Sequence, residues 1–352
     1  MSLYPLRLAR KLDRRLWGGQ RLAAWLNLPQ PWPTDLAESW QVYEANAVLN
    51  GYLAGRTLAS LATEHGADLV GTLSFRRYGL DFPLLAKYID ANDALSVQVH
   101  PDDGYAHTVE AHTGFHGKTE AWYILEAEPG ARLVFGLNRN ADRQTFAQAV
   151  AGGALEGWLN YVQVEAGDVL FVPAGTLHAI DAGVLLFEIQ QKSDLTYRVF
   201  DYDRGDAEGN LRALHLDKAM DVLNYGPPVQ PKASPLTLGG PGCELMVACP
   251  YFALERHRGD TTQTLHTRPT SFEIWSLIAG RANVAGERLV TGDSLVLPAC
   301  LGAFRIEQTA STTLLRCYVP DMEADLLAPL RRMGYSEQTI AQTVRMAGKE
   351  DG

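Results

Sequence analysis

Two histidines, a glutamate and a glutamine lie in short motifs of this 352-residue chain: Gln98-Val-His100, Lys118-Thr-Glu120 and Pro173-Ala-Gly-Thr-Leu-His178. Each motif sits in or beside a run that reads as a β-strand. Strand residues two apart point to one face, so Gln98 and His100 share a face, as do Lys118 and Glu120. Two imidazoles, a carboxylate and an amide from three strands could enclose one divalent ion. Nitrogen and oxygen donors without a thiolate suit zinc in a catalytic site that keeps one position open, and would also accept manganese, iron or cobalt. A lone histidine in an apolar strand is more often a hydrogen-bonded core residue. The combination is what argues for a metal.

The elements that must position these residues are mostly short strands. From Phe82 the chain runs through PLLAKYI, ALSVQV, AWYIL, RLVFGL, DVLFV and GVLLFEIQ, separated by turns. Short strands at such close spacing predict a sandwich or barrel. Leu58 to Val70 has helical apolar spacing. A second helix is predicted within Ala141 to Gly153, capped by Asn140 or Asp142 and ended by Gly-Gly. The Pro-rich stretch from Tyr225 to Pro235 reads as a linker.

The chain also repeats itself. Gly167-Asp-Val-Leu-Phe-Val-Pro173-Ala-Gly175-Thr-Leu-His178 has a partner in Gly292-Asp-Ser-Leu-Val-Leu-Pro298-Ala-Cys300-Leu-Gly-Ala303, and Glu120-Ala-Trp122 has one in Glu273-Ile-Trp275. The fold expected is mainly β: two cupin-like β-barrel (jelly-roll) units with helical insertions. Ala303 aligns with His178 and nothing resembles Gln98-Val-His100, so the second unit is read as degenerate and metal-free. The expected domains are a catalytic unit over 1–226, a linker over 227–235, the second unit over 236–320 and a helical tail over 321–352.

Bulk properties narrow the partners. A formal net charge of −10 argues against nucleic acid, which needs a basic surface, while a small anionic substrate needs only a few local cations. No apolar run is long enough for a membrane helix and the start has no signal-peptide core, so the expected location is cytoplasmic. Cys243, Cys249, Cys300 and Cys317 contain no CxxC pair. They read as buried thiols acting as small hydrophobes.

Gly167 to His178 resembles the second cupin motif, with Ala182 where that motif usually closes on Asn. The first cupin motif is partly kept, with Pro101 to Gly117 as an inserted loop. Together with Leu95-Ser96-Val-Gln98-Val-His100-Pro-Asp and Thr196-Tyr197-Arg198, these segments resemble type I phosphomannose isomerases of the shorter bacterial kind. The resemblance runs from Trp17-Gly-Gly to about Pro320. It implies zinc held by Gln98, His100, Glu120 and His178, with Arg198 catalytic and Ser96 and Lys87 contacting substrate phosphate. Asp103 departs from the family pattern, which often has Lys there, and so removes a cation near the mouth.

The implied reaction interconverts mannose 6-phosphate and fructose 6-phosphate through a cis-enediolate. The ion would orient the sugar oxygens, Arg198 would stabilise the enediolate charge, and Lys118 is placed to shuttle protons. The group that removes the carbon-bound proton is not evident from the sequence. A cupin oxygenase with a two-His-one-carboxylate iron site and a non-catalytic sugar-binding cupin are the alternatives. The expected partner is a small sugar phosphate, in a monomer or homodimer. Lys118 and Arg198 could instead pair structurally with Glu120 or Asp194. His107, His112 and His116 read as solvated loop residues, and Trp122 and Trp275 as core or barrel-lining aromatics.

Overall fold

A computed structural model describes residues 2–205, 209–228, 230–240 and 242–346. The chain folds mainly into antiparallel strands, as two units of two sheets each. In the first unit a six-stranded sheet runs in the order Lys11–Gly19, Leu36–Val42, Leu84–Ala91, Val184–Gln191, Glu120–Ala127, Val169–Val172. Its companion has the order Tyr197–Phe200, Val97–Val99, His178–Ile180, Arg132–Leu137, Leu159–Gln163. Side chains from both sheets, among them Trp122, Ile124, Leu133, Phe135, Ile180 and Leu186, pack into one interior cluster.

The second unit repeats this order. Its larger sheet runs Ser294–Leu297, Glu273–Ala279, Thr312–Tyr318, Ala253–Gly259, Cys243–Ala248, Leu236–Thr237, and its smaller one Thr262–His266, Ala303–Gln308, Arg281–Val284, Glu287–Val290. Its interior is filled by Trp275, Leu277, Val284, Leu295, Phe304 and Ile306, with the charged groups Glu255, Glu273 and Arg316 buried beside them. The strand Leu6–Arg7 pairs antiparallel with Ser294–Leu297, so the start of the chain extends the second unit's sheet.

The central strands Leu84–Ala91 and Val184–Gln191 are buried along their whole length. One face lines the first unit's interior. The other joins a core shared by both units, where Tyr88, Phe187 and Ile189 cluster with Phe272, Ile274 and Leu315. Burying a large apolar side chain stabilises by roughly 1.5–3 kcal/mol, which fixes the two large sheets against each other. This double burial is why those strands read as apolar runs rather than alternating patterns.

The helical stretch expected over 58–70 divides at Gly66, whose φ of 47° ends Leu58–His65 before Ala67–Val70 begins. A third helix, Thr72–Tyr78, starts against the second unit. A Cβ on Gly71 would lie 2.3 Å from Ser271 N, so only glycine permits that approach. The helix Arg143–Ala151 is capped by Asp142, which accepts from Thr145 N. The expected linker is not free chain: Lys232 bridges to Leu170 and Ala233 N donates to Val169 O. Within it, Val229 lies outside the described residues. The tail forms helical segments Met322–Leu327, Ala328–Arg332 and Glu337–Ala341, and its part from 347 lies outside the described residues. The reading of all four cysteines as buried needs correction: Cys249 and Cys317 are buried, Cys243 is half-buried and Cys300, on a turn after Pro298, is exposed. Among the described residues no helix is long and apolar enough to cross a membrane.

Candidate metal and substrate site

Three strands bring the predicted ligands together at one end of the first unit's interior. Gln98 pairs in register with His178 on one side and Arg198 on the other, so all three share a row across the small sheet. His100 follows the strand Val97–Val99, and Glu120 opens the strand Glu120–Ala127. His178 Nε2 lies 3.3 Å from Glu120 Oε1, and His100 Nε2 lies 3.6 Å from Glu120 Oε2. Each of the three is about 1% exposed.

The tautomers are set from behind. His100 Nδ1 donates to Leu195 O and His178 Nδ1 to Thr176 O, both at 2.8 Å. A protonated Nδ1 on a neutral ring leaves Nε2 bare, and both bare nitrogens face Glu120. Burial, with Lys118 nearby, holds the His100 pKa well below its usual value; burial lowers that of His178 to about 4. Both rings are therefore neutral at pH 7, the form that binds a metal. The Glu120 Oε2 atom is buried without an aligned hydrogen bond. A buried carboxylate oxygen in that state needs a cation.

Lys118 supplies one. Its Nζ lies 2.8 Å from Glu120 Oε2 and 2.9 Å from His100 Nε2. It thus stands against the lone pairs that an ion would use, and it must turn toward the cavity when those lone pairs bind one. Gln98 Nε2 lies 3.5 Å from His178 Nε2, while Gln98 Oε1 accepts from Ser96 Oγ at 3.4 Å. A half-turn of the amide would present Oε1 to the cluster. Two neutral imidazoles, a buried carboxylate and an adjacent amide fit a divalent ion.

A cavity of about 360 Å³ opens beside these groups. Lys118, Glu120, Gln98 and His178 line its buried part, and Arg15, Arg198 and Arg212 line its more exposed part. Arg198 Nε donates to Ser96 Oγ at 3.3 Å and its Nη1 to Ala213 O at 2.8 Å. Burial and the Arg212 guanidinium lower its pKa from the ordinary value, yet a guanidinium stays cationic. Lys87 lines the same cavity but is engaged, with Nζ 3.1 Å from Glu38 Oε1 and 3.4 Å from Glu188 Oε1.

Sequence reasoning missed those two carboxylates. Burial raises the Glu188 pKa, with Glu120 adding to the shift, and its Oε1 has no hydrogen bond. Trp122 Nε1 donates to its Oε2 at 2.9 Å. Burial alone would raise Glu38 too, but Lys87 and the Trp40 indole bring it below the usual value. The signal for Glu188 was present, since a carboxylate inside the apolar run of Val184–Gln191 requires a buried partner. Arg15 and Arg212 gave no such signal, because their approach depends on segments far apart in the chain. The structure keeps Asp194 in the cavity lining and gives Lys118 an ion pair with Glu120. Trp122 packs inside the first unit, edge-on to His178 with ring centroids 5.5 Å apart.

Fold and site together define a double β-sandwich protein with a metal-type cluster at the base of a polar cavity in its first unit. Residues 6–129 match the model of the phosphomannose isomerase type I catalytic domain. The chain is 36% identical to the mannose-6-phosphate isomerase of Streptococcus mutans over 86% of its length and 95% of the relative's. It is 35% identical to the mannose-6-phosphate isomerase ManA of Bacillus subtilis, over 87% and 97% of the two chains. The crystal structure of the mannose 6-phosphate isomerase from Bacillus subtilis superposes with a TM-score of 0.78 at 31% identity, covering 90% of this chain and 99% of that one. The chain belongs to the type I phosphomannose isomerase family.

Proposed function

We propose that this protein interconverts mannose 6-phosphate and fructose 6-phosphate with a divalent ion, zinc by the chemistry of the donors, held by Gln98, His100, Glu120 and His178. The observation that carries the reading is the convergence of two neutral imidazoles, each with Nε2 toward one oxygen of the buried Glu120 carboxylate, at the base of a cation-lined cavity. The names of the relatives supply the substrate. When bound, the ion orients the two sugar oxygens that exchange roles and stabilises their developing negative charge.

The remaining chemistry falls to side chains. Moving a proton between adjacent carbons through a cis-enediolate needs a base at carbon and a donor at oxygen. Glu188 is the carboxylate suited to act at carbon, because burial raises its pKa, Oε1 has only the Lys87 ammonium at 3.4 Å and no hydrogen bond, and Trp122 fixes Oε2. Lys118, turned from the ligand cluster, serves at oxygen. Arg198 stabilises enediolate charge without itself losing a proton. For the phosphate, Arg15 and Arg212 are the more exposed cations, and Ser96 and Lys87 complete the wall. Lys87 acts mainly by keeping Glu38 and part of Glu188 ionised, since its ammonium is already shared between them.

A coupled assay with mannose 6-phosphate, run on metal-stripped and zinc-restored protein, tests the reading. Turnover should vanish with chelation and return with zinc. No turnover in the zinc-restored protein would sink it, and oxygen uptake with ferrous iron would favour the oxygenase alternative.

A further inference from the structure

The inserted loop over 101–117 holds a second group of ligand types apart from the cavity. Asp103, His107 and His116 each offer one donor atom, and the three donors lie within 4.8 Å of one another. His107 Nε2 and His116 Nδ1 face each other at 3.0 Å. This is a hydrogen bond between the rings, and an ion replacing its proton would need only a small parting, since two ligands of a tetrahedral zinc ion with bonds of ~2.0–2.1 Å stand roughly 3.3 Å apart. We propose that Asp103, His107 and His116 form a second divalent-cation site, one that stiffens the loop rather than taking part in chemistry.

The surroundings support each ligand. His116 Nε2, the nitrogen turned away from His107, is buried and stands 3.3 Å from Asp81 Oδ2. Asp81 is in turn held by Lys192 Nζ at 3.1 Å. A carboxylate behind a ligating imidazole is the usual outer partner in histidine–metal sites, where it fixes the tautomer that leaves the inner nitrogen bare. Tyr78 packs edge-on to the same ring, with centroids 5.2 Å apart. Asp103 is fixed through Oδ1, which accepts from Gly117 N at 2.8 Å and Gln191 Nε2 at 2.9 Å, and the Tyr251 hydroxyl lies beside the same carboxylate. A cavity of about 400 Å³, bordered by Tyr78 and Tyr251, leaves room for water to complete the coordination.

The same kind of cluster in the second unit lacks this capacity. Glu255, beside Cys243 and His257, is already taken by the Arg316 guanidinium at 3.1 Å and the Tyr318 hydroxyl at 2.7 Å. At the loop, Asp103 Oδ1 is held by an amide and a backbone N–H, both uncharged, and the Arg77 guanidinium that borders the same cavity donates to Pro250 O at 2.7 Å.

The loop's ion would reach the catalytic segment through hydrogen bonds. Gln191 donates to Asp103 and, through its Oε1, accepts from Thr119 N at 2.9 Å. Thr119 lies between Lys118 and Glu120, and Pro101 O accepts from Lys118 N at 2.9 Å. Fixing the loop therefore fixes both ends of the segment that spaces His100 from Glu120.

The test is metal content after equilibrium dialysis of the full-length protein against zinc, repeated with cobalt, whose visible spectrum reports ligand number. His107→Ala and His116→Gln should each hold one ion per chain fewer than the parent, lose one cobalt band set, and lose the rise in melting temperature that the outer ion gives. Their isomerase kcat should stay within about twofold of the parent, since neither residue lines the catalytic cavity. Equal metal content in parent and both variants would overturn the site. His107 is exposed, so its truncation leaves the fold intact. The difference between parent and His107→Ala reads the outer site whatever Glu120→Gln shows at the inner one.

Discussion

The two units carry the same large-sheet strand order and bury a glutamate at the same strand start, and they surround it with different groups. Glu120 pairs with Val172 just before Pro173, and Glu273 pairs with Leu297 just before Pro298. In the first unit the groups around the carboxylate are two neutral imidazoles and the Lys118 ammonium. In the second, Arg316 sits at the position of Glu188, opposite Trp275 as Glu188 is opposite Trp122. Its guanidinium binds Glu273 through Nε at 3.0 Å and Glu255 through Nη1 at 3.1 Å. There one guanidinium is shared by two carboxylates and, among the described residues, no pair of imidazole nitrogens faces Glu273, whereas Glu120 meets the Lys118 ammonium and two imidazoles. A glutamate at this strand start therefore does not by itself signal a metal; what matters is whether neutral donor nitrogens stand beside it.

The two units also differ in how the repeats align. Ala303, expected to stand in for His178, is exposed at the start of its strand. Phe304 is the inward residue: it packs on Trp275 with centroids 6.1 Å apart, as His178 packs on Trp122, and it pairs with Leu265 as His178 pairs with Gln98. The turn Ala299–Leu301 enters the strand one residue out of step with the first copy, and a one-residue slip exchanges the two faces. The positions of His178 and Gln98 are apolar in the second unit, as Phe304 and Leu265, for that reason as well as by substitution.

The largest separation between the units should come from paired carboxylate substitutions. Glu120→Gln is expected to lose the inner metal ion and on the order of a thousandfold in turnover, about 4 kcal/mol of barrier. Glu273→Gln should leave metal content and turnover per folded molecule unchanged but cost about 3–5 kcal/mol of stability, because Arg316 stays buried with half its partner charge gone. Metal analysis and urea unfolding on both variants would break the comparison if the two behaved alike.

Arg198→Ala comes next, with metal content nearly intact and kcat reduced roughly 10²- to 10³-fold. Parallel loss of metal and turnover would make Arg198 a support of the ligands instead.

Acid should then distinguish the units in metal-free protein. The His178 pKa is held at about 4 against an ordinary 6.5, so the unfolded chain takes up the proton first as pH falls. The stability from its neutral form is complete above pH 6.5 and is lost as pH falls toward 4. Burial would raise the Glu255 pKa, but Arg316 and His257 hold it far below 4.5, so its contribution is lost only below the usual carboxylate range. Imidazole proton resonances followed from pH 7 to 4 check this; a His178 midpoint near the ordinary value would contradict it.

The smallest effect belongs to Ala303→His. On an exposed strand position it should change metal content not at all and stability by no more than about 0.5 kcal/mol. An added ion would show that the motif alignment, and not the face assignment, describes the second unit.

Much of this candidate site was legible in the chain because the residues proposed as ligands fall in short motifs. Gln98 and His100 share a face by strand period alone, and so do Lys118 and Glu120. The repeat of Gly-Asp and Pro-Ala disclosed two similar units before any sheet was seen. Less legible were residues whose role depends on what lies across a sheet. Glu188 could be recognised as out of place in an apolar run, but not matched to Lys87 and Trp122. His107 and His116, read as solvated, face each other because the loop turns back on the helix Asp103–Ala106. Leu6–Arg7 gave no sign of pairing with a strand nearly three hundred residues onward.

What the sequence determined by itself was the chemistry: which donor types occur, on which strand faces, and in which of two similar units. Alternation along a strand is a local property of the backbone, so it can be read from one segment. Only the tertiary structure decided register and neighbours. Arg198 reaches the ligand row because its strand pairs with that of Gln98, Glu273 is satisfied because Arg316 lies one strand away, and Phe304 rather than Ala303 faces inward because of one turn. Each of these is a non-local pairing whose outcome the packing of both sheets selects.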